Sequence, residues 1–170
     1  MADDIEFLRA GPEQTTEVLA VLDEAAAWLR SRGVDQWPAR FEAAWIEPGI
    51  AQGDTWIVRT GGRTAATVTL DWFDPVWSDH PGPAGYLHRL AVRRHAAGLG
   101  ARILDWAAAT LAHTGRHLRL DCLAANTALR AYYESAGFTH RGDTRVGGAP
   151  GQRRHDGPAT LVSRYEKPLA

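Results

Sequence analysis

Apolar residues recur along this chain with two different periods. Ile5 to Leu8 reads as a short strand. Gly11-Pro12-Glu13 is a helix start, because Pro suits the first helical position and an acid suits the positive end. Val18, Leu22, Ala25 and Leu29 then recur at helical spacing, and Gly33 closes that segment. A second, shorter helical stretch is predicted over Pro38 to Ala51, broken around Pro48-Gly49. Thr55 to Arg59 and Thr64 to Leu70 are β-rich and joined by Gly61-Gly62, a hairpin signature. Residues 71–85 hold three Pro, two Gly and three aromatics and read as a long loop.

The pattern then changes to alternating single elements. Tyr86 to Val92 is a predicted strand, and Gly98 to His113 a helix with Leu99, Ile103, Trp106 and Thr110 inward. Gly115 breaks it, and Leu118 to Leu123 is a further strand. Asn126 to Ala136 is a helix closed by Gly137, and Phe138 to Gly142 begins another strand. Residues 142–158 are Gly-rich and read as irregular and mobile before a last strand, Thr160 to Tyr165. The order β-α-α-β-β-β-α-β-α-β-β predicts one α/β domain over residues 1–170, with a mixed sheet of about seven strands and helices on both faces.

Composition narrows the setting. One cysteine, Cys122, forms no internal disulfide and no four-cysteine zinc site, and on its strand it reads as core filler. His113 and His117 are separated by a glycine, so no metal site is expected. The acidic start lacks an apolar signal region, and no 18-residue apolar run exists. A cytoplasmic protein without membrane attachment is expected. Charge is uneven along the chain. Residues 1–85 carry 14 acidic and 6 basic residues; residues 86–170 carry 6 acidic and 13 basic. That split suggests an anionic ligand on the second half and a neutral or cationic one on the first. Six of the seven tryptophans also precede residue 80.

The chemistry concentrates in residues 86–104. A strand runs into a basic turn, and Gly98-Leu99-Gly100 opens a helix. Glycines there allow close backbone approach, and the N–H groups of the first helical turn make an anion site suited to a phosphate or a diphosphate. The pattern is not a dinucleotide fingerprint, because Ile103 stands where the third glycine would fall. It is not a Walker A loop, since no Lys follows the glycines. Leu90-Ala91-Val92, the basic turn and Gly98-Leu99-Gly100 together resemble motif A of the GCN5-related N-acetyltransferases (GNAT). Downstream, Asn126 and the helix ending Tyr133-Glu134-Ser135-Ala136-Gly137-Phe138 resemble the family's next motif. The two segments cover about residues 84–140, and the element order also matches.

The resemblance implies a GNAT fold, with a mixed but mostly antiparallel sheet, and acetyl-CoA as cofactor. It implies that the backbone of Leu90, Ala91 and Val92 pairs with the pantetheine arm. The diphosphate would lie on the N–H groups of Ala97, Gly98, Leu99, Gly100, Ala101 and Arg102, with Arg93, Arg94 and His95 beside it. His95 departs from the Arg or Gln usual at its position, so Arg94 is expected to supply the charge. Asn126 corresponds to a residue touching the cofactor arm, and Tyr133 to the tyrosine that protonates the departing thiolate. Asn126 and Tyr133 are seven apart, which independently puts them on one helix face.

Attack by an amine requires its deprotonation. His88, two residues before Leu90 and so on the same face of a regular strand, is the candidate base. Asp121 is a candidate to orient it. An N–H near Leu90 or Val92 would polarise the thioester carbonyl. The resemblance puts the acceptor beside the first two helices and the 71–85 loop, where Trp28, Trp37, Trp72, Trp77 and Asp71 would line it. An aromatic and acidic lining suits a cationic or aromatic amine. The expected partner is a small-molecule amine, with no nucleic acid and no membrane, for a monomer or homodimer. A non-catalytic acyl-CoA sensor and a tRNA- or protein-directed acetyltransferase are the alternatives, and the acidic first half disfavours RNA.

Overall fold

The computed structural model describes residues 4–114, 116–147 and 160–169. Among these residues seven strands and four α-helices follow the predicted order. They are β1 (Ile5–Arg9), α1 (Thr15–Ser31), α2 (Ala43–Ala51), β2 (Thr55–Thr60), β3 (Arg63–Asp71), β4 (Ala84–Val92), α3 (Leu99–Leu111), β5 (His117–Leu123), α4 (Thr127–Ser135), β6 (Thr139–Val146) and β7 (Thr160–Pro168). The strands form one sheet in the order β1-β2-β3-β4-β5-β7-β6. The expected α/β class and mostly antiparallel sheet are both present. Among the described residues, no helix is long and apolar enough to cross a membrane.

Two compact units are distinguished by their internal contacts. The first holds the described residues up to Leu70 together with His88–Arg102. Here β1 pairs antiparallel with β2, from Ile5 opposite Thr60 to Arg9 opposite Trp56. The β2–β3 pair is the predicted hairpin, with a register shift between Val58 and Arg59. Its core draws Val18, Val21, Leu22 and Ala26 from α1, Ile46 and Ile50 from α2, and Ile57 and Ala91 from strands. The α1 contribution repeats every three or four residues, which turns one face of the helix inward.

The second unit holds Asp71–Leu87 and the described residues from Ile103 onward. The start of β4 runs parallel to β5, with Ala84 opposite His117 and Tyr86 opposite Arg119. A parallel pair requires a crossover, and α3 lies in that connection. The β7 strand pairs antiparallel with both β5 and β6. The core of this unit includes Val76, Trp77, Ala84, Tyr86 and Val162.

Four local expectations are corrected. The second helix starts at Ala43 rather than Pro38, because the preceding link is fastened to α1 by side chains. Phe41 donates its N–H to Asp23 Oδ1 at 2.8 Å, and Arg30 donates to the Ala39 carbonyl at 3.1 Å. That helix then continues through Pro48 to Ala51, since Pro removes one helix donor while buried Ile46 and Ile50 fix the segment on either side. In α3 the buried stripe is Leu99, Ile103, Leu104, Ala107 and Leu111; Trp106 is half-buried and Thr110 exposed. Spacing of four carries the stripe away from residues 106 and 110. Finally, β6 continues past Gly142 to Val146. Gly142 adopts φ +94 at a register shift between His140 and Asp143, so it marks a bulge rather than a strand end. The rest of the Gly-rich segment, from residue 148 to 158, lies outside the described residues, as does Gly115.

Candidate active site

In the first unit the site is built on the end of β4. Arg89, a non-glycine residue, adopts φ +50 within the strand. A side chain at positive φ is uncommon, and it interrupts the two-residue alternation of a strand. The shared face of His88 and Leu90 therefore no longer follows from their spacing. The Arg89 guanidinium donates to the Trp45 carbonyl of α2 at 3.1 Å. His88, Leu90 and Val92 are half-buried, and Ala91 packs into the core.

Beyond Val92 the chain is held firmly. Arg93 donates its backbone N–H to the Ala65 carbonyl at 2.8 Å. Its Nε lies 3.1 Å from Glu24 Oε2, and the other oxygen of Glu24 accepts the Arg94 N–H at 3.4 Å. The Arg94 guanidinium lies 4.2 Å from the centre of the Trp28 ring, with Arg32 at 5.7 Å from the same ring. One turn of α1, with Glu24 and Trp28 four residues apart, thus grips the basic turn. A single 3-10 turn, Arg94–Ala96, leads to Gly98 at φ +98. A side chain added at Gly98 would meet nothing within 4 Å. The N–H groups of Leu99, Gly100 and Ala101 open the first turn of α3, where a helix offers no acceptor of its own. This is a cradle with space and donors for a diphosphate. His95 and Arg102 are exposed beside it.

In the second unit Asn126 is the N-cap of α4, and its Oδ1 accepts the Leu129 N–H at 3.2 Å. The carbonyl end of its side chain is thereby committed to the helix, which orients the amide end. Tyr133 is buried at 6% exposure. Its ring centre lies 5.8 Å from Phe138 and 6.1 Å from Tyr165. The Tyr165 hydroxyl accepts from Arg130 Nε at 3.1 Å and donates to Glu134 at 2.9 Å, which anchors that neighbour. Burial above all, with Cys122 and Asp121 close by, pushes the Tyr133 phenol well above its ordinary range. Cys122, buried on β5, is pushed up to about 12 by burial and by Asp121.

The residues expected to line an acceptor pocket divide. Trp72 is 51% exposed and its neighbour Phe73 78%, while Asp71 is half-buried. Trp37 is half-buried against the first unit's core and meets Phe41 edge-on at 5.5 Å; Phe41 meets Trp45 at 6.2 Å. Trp28 serves the basic turn. Trp77 is only 2% exposed. Arg119 and Arg164 approach its ring at 4.8 and 5.4 Å. Arg119 also donates to Glu166 at 2.7 Å and to the His80 carbonyl at 2.8 Å, and Arg164 to Asp79 at 2.5 Å. Trp77 is therefore a core anchor, not an open lining. Sequence reading missed Glu24, Arg119 and Arg164, and the tie from Arg89 to Trp45. The Glu24–Trp28 spacing on one helix was the only available signal, because the other contacts join distant segments.

Residues 20–138 match the family described as "Acetyltransferase (GNAT) family". A relative from Bacillus subtilis, described as "Uncharacterized N-acetyltransferase YesJ", is 33% identical over 159 residues, spanning 84% of this chain and 86% of the relative. A GNAT-family acetyltransferase of known structure from Listeria monocytogenes is similar over 99% of this chain and 98% of its own, at 23% identity and a TM-score of 0.77. One from Streptococcus agalactiae gives the same TM-score at 19% identity, over 100% of this chain and 98% of its own. The motifs on either side of α3, the strand order and these similarities converge: the chain belongs to the GNAT family of acetyltransferases, whose members use acetyl-CoA as acyl donor.

Proposed function

We propose that this protein transfers the acetyl group of acetyl-CoA directly to the primary amine of a small molecule, a cationic or aromatic one. The observation that carries this reading is the turn after β4. Gly98, at positive φ with open space beside it, leads straight into the N-terminus of a 13-residue helix. Such a turn suits a diphosphate, and Arg94 and Arg102 add cations to it. Bound acetyl-CoA would supply the activated acyl thioester.

In this reading each side chain has one task. The backbone of Leu90, Ala91 and Val92 aligns the pantetheine arm, and the Asn126 amide orients it from its capped position. His88 takes a proton from the bound ammonium, the neutral amine so formed attacks the thioester, and the second proton leaves the nitrogen to solvent as the amide forms. An N–H of Leu90 or Val92 holds the charge that develops on the acyl oxygen. Tyr133 returns a proton to sulfur as the C–S bond breaks and the C–N bond forms. A phenol held above its ordinary range stays protonated at neutral and alkaline pH, as a donor must. For the acceptor, Trp37, Trp72 and Asp71 offer π faces and a carboxylate, which suits a cationic or aromatic amine. The acid-base assignment is tested by pH profiles of kcat. His88→Ala should lower the rate near neutral pH more than at alkaline pH, where free amine accumulates. An identical profile would assign proton removal to a water chain. Acetyl-CoA that binds and raises the unfolding temperature, yet yields no CoA with polyamines, aromatic amines, amino acids or aminoglycosides, would instead indicate a non-catalytic acyl-CoA sensor.

A further inference from the structure

The left-handed backbone of Arg89 has no explanation in its side-chain type, since only Gly, Asn and Asp enter that region readily. Such a conformation persists where surrounding contacts impose it, and it clusters where function needs a fixed geometry. Arg89 lies between His88 and Leu90, and its guanidinium reaches the Trp45 carbonyl, 44 residues earlier, at 3.1 Å. Trp45 sits at the end of an edge-on aromatic series running through Phe41 to Trp37. The same segment is fastened to α1 by the bond from Phe41 N–H to Asp23. The tie therefore joins the strand that carries His88 and Leu90 to the aromatic segment over α1 and α2, all within one compact unit.

We propose that Arg89 is a positioning residue. Its guanidinium locks α2 and the Trp37–Phe41–Trp45 series onto β4, so an amine held by that series meets the thioester in register. The kinetic half of this inference rests on the acetyltransferase reading above; the tie itself does not. The strand conformation and the tie can be separated by substitution. Arg89→Gly accepts positive φ without strain but loses the guanidinium. Arg89→Lys keeps a cation and a donor, in a side chain that lacks the rigid planar fork.

The test is hydrogen exchange together with kinetics on the full chain. Arg89→Gly should fold with an unfolding temperature no lower than the parent's. Amide exchange across Ala43–Ala51 should rise at least about tenfold, while β2 and β3 stay unchanged. With the best amine from the panel, kcat/KM for the amine should fall at least about tenfold, and the Kd for CoA should stay within about twofold. Arg89→Lys should recover part of both losses. Parent-like exchange in α2 of Arg89→Gly would overturn the inference whether or not any amine is turned over. A parent-like kcat/KM in that variant would also overturn it. A parent protein that releases no CoA with any amine would defeat the functional reading instead, leaving the exchange result to decide the tie.

Discussion

At Tyr133 the decisive property is the proton it keeps. The ring is buried between Phe138 and Tyr165, and burial raises the phenol. Tyr133→Phe preserves that packing and removes only the hydroxyl. It should lower kcat by about 10²- to 10⁴-fold, the range for a positioned general acid, with little change in the KM for acetyl-CoA. An unchanged kcat would remove Tyr133 from the chemistry. Asn126 carries two tasks that can be split. Asn126→Asp keeps an oxygen for the Leu129 N–H and should hold stability, while losing the amide donor and raising the KM for acetyl-CoA. Asn126→Ala should also cost about 1 kcal/mol in denaturant unfolding through the lost cap. The helix that carries Asn126 and Tyr133 was legible because helix periodicity is local, whereas the roles proposed for the two residues rest on the resemblance to the family. The backbone of Arg89 was not legible, because an arginine gives no sign of φ +50. Trp28 was assigned to the acceptor because its cation partner Arg94 lies 66 residues away in the chain.

The segment between β3 and β4 is the element whose character changed most. Its Pro, Gly and aromatic content reads as a long loop, yet β3 extends to Asp71 and a capped 3-10 turn occupies Pro75–Trp77. Asp74 caps that turn by accepting the Val76 N–H at 3.0 Å. Trp77 then inserts beside two guanidinium groups, both buried and hydrogen-bonded. Sequence alone separates none of this, since Arg119 and Arg164 lie on strands far along the chain. The two tryptophans of this segment should behave oppositely. Trp77→Ala should destabilise by about 3–5 kcal/mol in chemical denaturation, the usual range for truncating a buried aromatic. Trp72→Ala should change stability by no more than about 0.5 kcal/mol and act instead on the KM for the amine. Equal losses of stability would contradict the distinction drawn between them.

Across the whole molecule, charge sorts by contact rather than by position along the chain. Arg93 belongs to the basic half of the sequence, yet its guanidinium pairs with Glu24 from the acidic half, which also accepts the Arg94 backbone N–H. The linear imbalance therefore overstates any separation of charge around that turn. Among the described residues, three carboxylates are held below the ordinary range. Glu17 is held by Thr64 and Arg59, Asp79 by Arg164 and His80, and Asp143 by Ser163 and His140. Below about pH 4 an unfolded chain protonates these groups while the folded one does not, so acid favours unfolding. The unfolding temperature should hold from neutral pH to about 5 and then fall steadily; a flat profile to pH 2.5 would contradict the assignment of those contacts.

The chemistry proposed for the whole molecule is a direct transfer, with no acyl group passing through the protein. Cys122, the one cysteine, is buried and protonated. A rapid-quench experiment with acetyl-labelled acetyl-CoA, excess enzyme and an amine from the panel reads this in one turnover. The account predicts label moving from CoA to the amine nitrogen, one CoA released per N-acetyl product, and none on the protein. Label on Cys122, or CoA released without an N-acetyl amine, would contradict it.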